Sequence, residues 1–491
     1  MNRAIRRVGI AVTVLILVLI GQLTYFQVVD ANRLANDPRN VRKSFDEYNR
    51  ARGEILTADG VVLARSVPVD GNGDFEYQRE YPLGNLFSQV VGYQSFVVGN
   101  VGVEQSYNGV LTGREKKLDF SNLAGVLQGK QDTQNVVLSL RQNLQQLAAD
   151  QLEGRKGSVV VTDIATGAVL VMYSNPTYDP TPLAAHDTQL VNDTFFLYNA
   201  DPAKPMLPRS YRELFPPGST FKTVTAIAGL DAGVVTLDEV FPVRDALPLP
   251  QSNAPLRNFG GGSCGGNLLT AFTVSCNVVF AEIGLRLGND FVPRMANCGV
   301  AAGDPPPLDL DPGAVASVGP PAGSFENDKP SFARAGIGQN PVAVTPLEMA
   351  LVAAGVANRG VIMTPYVAQE ITDADGSTLR AAEAKPWKTC TSPQTADEVK
   401  EMMINNVNGA GGTGNLARIP GVTVAGKSGT AQTGIEGASP HAWFIAFAPA
   451  EAPRYAVSVI VEGEGGSNEQ TGGAVAAPIA GAMLEAALVT P

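Results

Sequence analysis

The pattern of the 491-residue chain predicts an α+β layer fold, and three observations carry that expectation. A buried hairpin, Ser158-Val159-Val160-Val161-Thr162 followed by Ala168-Val169-Leu170-Val171-Met172, turns at Thr166-Gly167. Apolar β-branched and aromatic runs return only near the end, at 422–425, 442–447 and 455–461. Helical patterns fill the interval, and an apolar helix over roughly 474–488 closes the chain. Strands at both ends with helices between them place the first hairpin in a sheet begun by the last strands.

Composition narrows the function classes. The chain is long enough for two or three domains, and 44% hydrophobic residues supply a core. Its 52 Gly and 34 Pro follow no period, so a collagen-like fibre is excluded. With 36 Lys+Arg against 47 Asp+Glu the net charge is −11, which argues against sequence-independent nucleic-acid binding. Two histidines, His186 and His441, leave no basis for a multi-His metal site, and no cofactor is called for. His441 reads as a structural or rim residue, and His186 is assigned no role. The four cysteines form no CxxC pair, which removes zinc ribbons and thioredoxin-like redox centres.

Residues 8–29 form an apolar stretch preceded by Arg3, Arg6 and Arg7. About 20 apolar residues cross a bilayer as a helix, and flanking positive charge stays on the cytoplasmic side. The expectation is a cytoplasmic tail at 1–7, an uncleaved anchor at 8–29 and everything beyond it outside the membrane. A cleaved signal peptide is the alternative, but the stretch is long and no A-x-A-like site follows it. An outside location permits disulfides. Cys264 and Cys276, 12 residues apart in and after a Gly-rich loop, are the candidate pair, with buried free thiols as the other reading.

From 30 to 154 the chain reads as a polar, turn-rich module with short strands around an Asp59-Gly60 hairpin turn. It ends in a linker helix over 139–154, capped by Ser139 and stopped by Gly154. The remainder, 155–491, reads as one further domain.

Three short motifs carry chemistry. In Pro216-Pro217-Gly218-Ser219-Thr220-Phe221-Lys222 the turn residues place Ser219 at a helix start, and residues three apart share a helix face. Lys222 can then approach the Ser219 hydroxyl, a weak nucleophile until a base takes its proton. Lysine serves as that base only when neutral, which burial or a like charge favours. Ser275-Cys276-Asn277 can aim both polar side chains one way only from a turn. A second S-x-N, Ser106-Tyr107-Asn108, lies far upstream and is read as unrelated. Lys427-Ser428-Gly429-Thr430 follows the 422–425 run; alternation lets Lys427 and Ser428 serve one site only from a sheet edge bordering a cleft. Gly429, lacking a side chain, leaves room for a substrate backbone. Each motif alone is weak, but S-x-x-K, S-x-N and K-S-G occur here in one order, 56 and 208 residues from Ser219. That is the signature order of penicillin-binding proteins and class A β-lactamases.

On these motifs the chain resembles the class B penicillin-binding proteins, membrane-anchored D,D-transpeptidases of peptidoglycan synthesis. Further landmarks extend the resemblance: Arg52-Gly53-Glu54-Ile55, Gly102-Val103-Glu104, Gly336-Ile337-Gly338-Gln339, Thr345-Pro346 and His441-Ala442-Trp443-Phe444. The short N-terminal module is most similar to the actinobacterial penicillin-binding protein A group, associated with cell division and septal wall synthesis. The resemblance implies a β-lactamase-like serine acyl-transferase fold with a central antiparallel sheet. It implies Ser219 as acylated nucleophile, Lys222 as general base and Ser275 as proton relay to the leaving group. Asn277 would hold the substrate amide, and Lys427, Ser428 and Thr430 the carboxylate of a D-Ala-D-Ala stem peptide. The backbone N–H groups of Ser219 and Thr430 would form the oxyanion hole. Implied partners are stem peptides and their lipid-linked precursor, β-lactams, the membrane, and cell-division and glycan-polymerising proteins.

Two rivals share the serine chemistry. A D,D-carboxypeptidase differs only in using water as acceptor. A class A β-lactamase needs a glutamate for deacylation; none in an E-x-x-x-N setting is expected between Ser275 and Lys427, and the anchor and extra module also argue against it. A third rival is a non-catalytic β-lactam sensor or division scaffold.

Overall fold

The computed structural model describes residues 2–26, 48–69, 75–114, 133–434, 437–463 and 470–490. The last residues of the expected anchor, 27–29, and the first of the expected module, 30–47, lie outside the described residues. In chain order the elements used below begin with α1 (Asn2–Thr24), β1 (Ile55–Leu56), β2 (Val62–Pro68), β3 (Tyr77–Glu80), β4 (Asn135–Leu138) and α2 (Gln142–Leu152). Next come β5 (Gly157–Asp163), β6 (Val169–Asn175), α3 (Lys222–Asp231), β7 (Val240–Arg244), β8 (Cys264–Asn267), α4 (Leu268–Thr273) and α5 (Asn277–Leu287). The chain continues through α6 (Lys329–Ala335), α7 (Pro346–Ala357), β9 (Ala368–Thr372), β10 (Thr378–Ala381) and α8 (Pro393–Asn408). It ends with β11 (Ala425–Ala431), β12 (His441–Ala448), β13 (Tyr455–Val461) and α9 (Ala477–Val489).

The first hairpin does complete a sheet made by the last strands. The order is β11-β12-β13-β5-β6, all antiparallel, with Val459 opposite Val159 and Ser428 opposite Phe444. Both faces are buried, and successive residues divide between them: Trp443, Ile445 and Phe447 join the core containing α7, while Phe444, Ala446 and Ala448 join the one containing α2 and α9. Helix α7 is buried on every side, which suits its near absence of charge. Its single carboxylate, Glu348, is also buried, and burial raises its pKa to about 8.

Four expectations need correction. The strand carrying Lys427 begins at Ala425, so the 422–425 run is mostly the approach to it and Lys427–Thr430 lie inside the strand. Glycines hide it: a side chain at Gly426 would lie 2.8 Å from Phe444, so close packing excludes the β-branched residues that announce a strand. Ser139 is not a helix cap; its hydroxyl donates to the Val169 carbonyl, and α2 begins at Gln142. Helix α2 packs on β6 and α9, so it is a layer of the large domain as well as a connection. Finally, the N-terminal sheet is not closed within 30–154. Its order is β10-β9-β4-β1-β2-β3, and β9–β10 come from residues 368–381, pairing through Ile371 opposite Val136.

The module carries a buried ion network. Arg52 Nε reaches Glu104 Oε2 at 2.6 Å and Arg79 Nε reaches Glu104 Oε1 at 2.7 Å. Arg52 also donates to Asn108 Oδ1, which gives the upstream S-x-N asparagine a structural role. Helix α1 is apolar and exposed, and within Ile5–Thr24 its mean hydropathy reaches 2.1.

Candidate active site

The three motifs converge on one cleft of about 1500 Å³, with Ser219, Ser275, Asn277, Ser428 and Thr430 on its lining. Ser219 sits in a 3-10 turn, Gly218–Phe221, that runs directly into α3. Gly218 has φ 55°, and a Cβ there would lie 2.6 Å from the Thr430 carbonyl oxygen. Only glycine lets the Ser219 turn and the sheet edge approach so closely. Gly429 serves the same contact. A Cβ on it would meet Thr220 Cγ2 at 2.8 Å and the Pro217 carbonyl oxygen at 2.9 Å. This corrects the expectation that Gly429 makes room for substrate: its open side is filled by the Ser219 turn.

Ser275 occupies the tight link between α4 and α5 with φ 59°, a conformation disfavoured for a residue bearing a Cβ. Local bonds hold it there, with Cys276 N donating to the Ala271 carbonyl and Val278 N to Asn258 Oδ1. Cys276 is joined to Cys264 of β8 by a disulfide, and a second bridge joins Cys298 to Cys390. No reading of the sequence singled out that second pair.

The turn aims Ser275 and Asn277 at Lys222. Lys222 Nζ donates to the Ser275 carbonyl and to Asn277 Oδ1, both at 2.7 Å, and lies 3.3 Å from Ser275 Oγ. Lys427 Nζ approaches the same hydroxyl from the sheet edge, 3.0 Å from Ser275 Oγ, and donates to the Ser428 carbonyl at 2.9 Å. One hydroxyl therefore stands between two buried amines. No hydrogen bond links Lys222 to Ser219 among the described residues; the amine is drawn to the two short acceptors of the second motif.

Burial pushes the Lys222 amine well below its ordinary value, and the neighbouring Lys427 charge lowers it further. Burial brings Lys427 down to about 7. A neutral amine has two N–H groups and one lone pair. The two 2.7 Å contacts use both N–H groups of Lys222 and leave the lone pair to receive a hydroxyl proton.

Ser428 is set by residues that no local motif singles out. Its hydroxyl is 2.5 Å from Thr413 Oγ1, and fully buried Asn406 donates to Thr413 Oγ1 at 2.8 Å and to the Thr273 carbonyl at 2.9 Å. Thr430 Oγ1 accepts from Gly472 N at 3.4 Å. His441 starts β12, its Nδ1 accepts from Gly463 N, and burial lowers its pKa. Contrary to expectation, an E-x-x-x-N spacing does occur before Lys427, at Glu401 to Asn405. Glu401 is exposed on α8 and does not line the cleft, so it is not placed to activate a water at Ser219.

The disulfide invites a direct measurement. Cys264→Ser/Cys276→Ser is expected to slow acylation by a β-lactam on the order of tenfold, because small misplacement of positioned groups is costly. Second-order acylation rates of the full chain with and without the bridge check this; equal rates would show that the local hydrogen bonds suffice.

Residues 157–485 match the penicillin-binding protein transpeptidase domain, and residues 52–137 match the penicillin-binding protein A dimerisation domain. The chain belongs to the penicillin-binding transpeptidase family. It is 38% identical to the peptidoglycan D,D-transpeptidase PbpA of Mycolicibacterium smegmatis over 99% of both chains. Its fold matches penicillin-binding protein A of M. tuberculosis, solved as a ceftriaxone acyl-enzyme complex, with TM-score 0.82 and 35% identity over 90% of this chain and 100% of that one. A D,D-transpeptidase domain from Eggerthella lenta matches with TM-score 0.75 and 34% identity, covering 90% of this chain and 98% of the other.

Proposed function

We propose that the protein is a membrane-anchored peptidoglycan D,D-transpeptidase that works through an acyl-enzyme on Ser219 and is inhibited by β-lactams. The observation that carries this reading is the contact chain Lys222–Ser275–Lys427 behind a cleft lined by Ser219, Ser428 and Thr430. Neutral Lys222 takes the Ser219 proton as Oγ attacks the carbonyl of the penultimate D-Ala. The backbone N–H groups of Ser219 and Thr430 receive the oxyanion. The C–N bond to the terminal D-Ala then breaks, and the proton reaches the departing nitrogen through Ser275. An acceptor amine attacks the ester, forms the new amide and returns the proton to Ser219. Asn277 holds the substrate amide. Lys427, charged when substrate binds, and Ser428 with Thr430 hold the terminal carboxylate.

In this reading 1–7 is cytoplasmic, 8–29 spans the membrane, 30–154 is a non-catalytic module whose sheet the 368–381 hairpin completes and whose last helix packs on the large domain, and the rest of 155–491 is the transpeptidase domain acting outside. The exposed Ile5–Thr24 helix, at about 1.5 Å per residue, reaches across a hydrocarbon core of about 30 Å. A role in septal wall synthesis rests on the likeness to PbpA.

A fluorescent penicillin incubated with the full chain is expected to leave one adduct, mapped by peptide mass to Ser219; an adduct elsewhere overturns the assignment. Incubation with lipid-linked stem peptide is expected to give cross-linked dimers. Release of D-Ala without dimers would make the protein a carboxypeptidase instead.

A further inference from the structure

The chain carries a net charge of −11, yet the cleft lining contains no aspartate or glutamate among the described residues. Its two charged members are Arg257 and Arg334. Arg257 is exposed and already paired, 3.1 Å from Asp245. Arg334 is different. It lies in the last turn of α6, is half-buried, and among the described residues donates only to Ser331 Oγ at 3.1 Å and the Asn340 carbonyl at 3.3 Å. Neither partner is charged, and the nearest carboxylate in that network, Asp328, is occupied by Ser331 and its backbone N–H.

The position of Arg334 is fixed relative to the nucleophile. Gly338, four residues on, accepts a hydrogen bond at its carbonyl from Gly218 N at 2.8 Å, so the wall bearing Arg334 is bonded to the Ser219 turn. A Cβ on Gly338 would meet the Gly218 carbonyl oxygen at 2.1 Å, which leaves that junction no slack. A guanidinium has five N–H donors in a fixed fork that fits a carboxylate, and two neutral acceptors leave most of that fork unused.

We propose that Arg334 is a specificity residue that binds a second carboxylate of the stem peptide, one carried by an internal residue and separate from the terminal carboxylate at Lys427. The inference rests on the transpeptidase reading and sharpens its substrate class: an anionic stem, with a free carboxylate preferred over its carboxamide. Among the described residues the cleft lining holds no carboxylate to repel such a stem, although the molecule as a whole is acidic.

The test uses the full chain in detergent and two synthetic pentapeptides ending in D-Ala-D-Ala. They differ only in carrying a carboxylate or a carboxamide at one internal position, varied along the peptide. For one position the unmodified protein is expected to favour the carboxylate in kcat/KM, and Arg334→Gln to reduce that preference about tenfold, as losing one charge-assisted contact does. Arg334→Lys is expected to restore part of it. A merely structural role would lower both peptides together, and equal losses, or no preference at any position, overturn the inference. If neither peptide is turned over and penicillin leaves no adduct on Ser219, the transpeptidase reading itself has failed, and the inference with it.

Discussion

Ser219→Ala is expected to abolish covalent labelling by a fluorescent penicillin, and Lys222→Ala is expected to keep the nucleophile but slow acylation about a thousandfold, the scale of a lost general base. In the proposed reading the first variant removes the oxygen that forms the ester, and the second removes the amine bonded to the Ser275 carbonyl and to Asn277. Their pH behaviour separates them from simple misfolding. With Lys222 as the proposed base, acylation needs its neutral form, so the rate rises with pH through the Lys222 pKa, which burial and the Lys427 charge hold well below the ordinary lysine value. Binding an anionic substrate needs charged Lys427, which loses its proton near pH 7 in the free protein. The Lys427 charge adds to the burial that favours the neutral form of Lys222. The product is a bell-shaped kcat/KM for D-Ala-D-Ala peptides, measured by D-Ala release across pH. Lys427→Met removes the like charge, so the rising limb should move to higher pH while peptide affinity falls. A Lys222→Ala variant that kept the rising limb would assign the base to another residue.

The same two amines put a slope on stability. Each holds its proton less tightly folded than unfolded, so stability rises with pH between the depressed folded value and the ordinary lysine value near 10.5. Below the folded values the full cost of keeping two buried charges side by side is present. The site is therefore built against the fold's own stability, as expected where chemistry rather than packing selects the residues.

How much of this was legible depended on the range of the interaction. The central sheet strands announced themselves because the continuous apolar, β-branched runs of β5, β12 and β13 are a local property, and their pairing followed from their places at the two ends of one domain. The S-x-x-K turn was legible for the same reason: its prolines and glycine act on their own backbone. The extent of β11 was not, because Gly426 and Gly429 are dictated by Phe444 and by the Pro217–Thr220 turn, contacts that no window around 425–431 contains. Nor was the Asn406–Thr413–Ser428 chain, where an ordinary helical asparagine acquires its role only when α8 packs beside the sheet edge. The closing hairpin β9–β10 lies more than 200 residues from the strand it completes, and its polar, exposed second strand carries no apolar signal. Lys222 shows the limit most clearly. Helical spacing alone brings it toward Ser219, whereas its bonds run to the second motif, 53 and 55 residues away in sequence.

Glu104→Ala is expected to destabilise the N-terminal sheet by about 3–5 kcal/mol, the cost of breaking a buried charge network from one side. Glu104 is fully buried and takes one arginine on each carboxylate oxygen, while Arg52 also donates to its carbonyl at 2.6 Å. Burial by itself would raise the Glu104 pKa, but Arg79 and Arg52 together overcome it and the net value is lowered. Its contribution is therefore present above the unfolded carboxylate pKa and is lost as pH falls through the folded one. Removing the carboxylate leaves two guanidinium groups buried against each other, joining the start of β1 to β3 with no counter-charge. Adding Arg52→Met and Arg79→Met to Glu104→Ala should recover much of the loss, since a neutral packed cluster avoids the desolvation cost. Hydrogen exchange on the full chain reads this locally: protection should fall in β1–β4 and in the β9–β10 hairpin that shares their sheet, while penicillin still acylates Ser219. Loss of acylation together with loss of protection would instead mean that the two sheets unfold as one unit, coupled through α2 and the 368–381 hairpin.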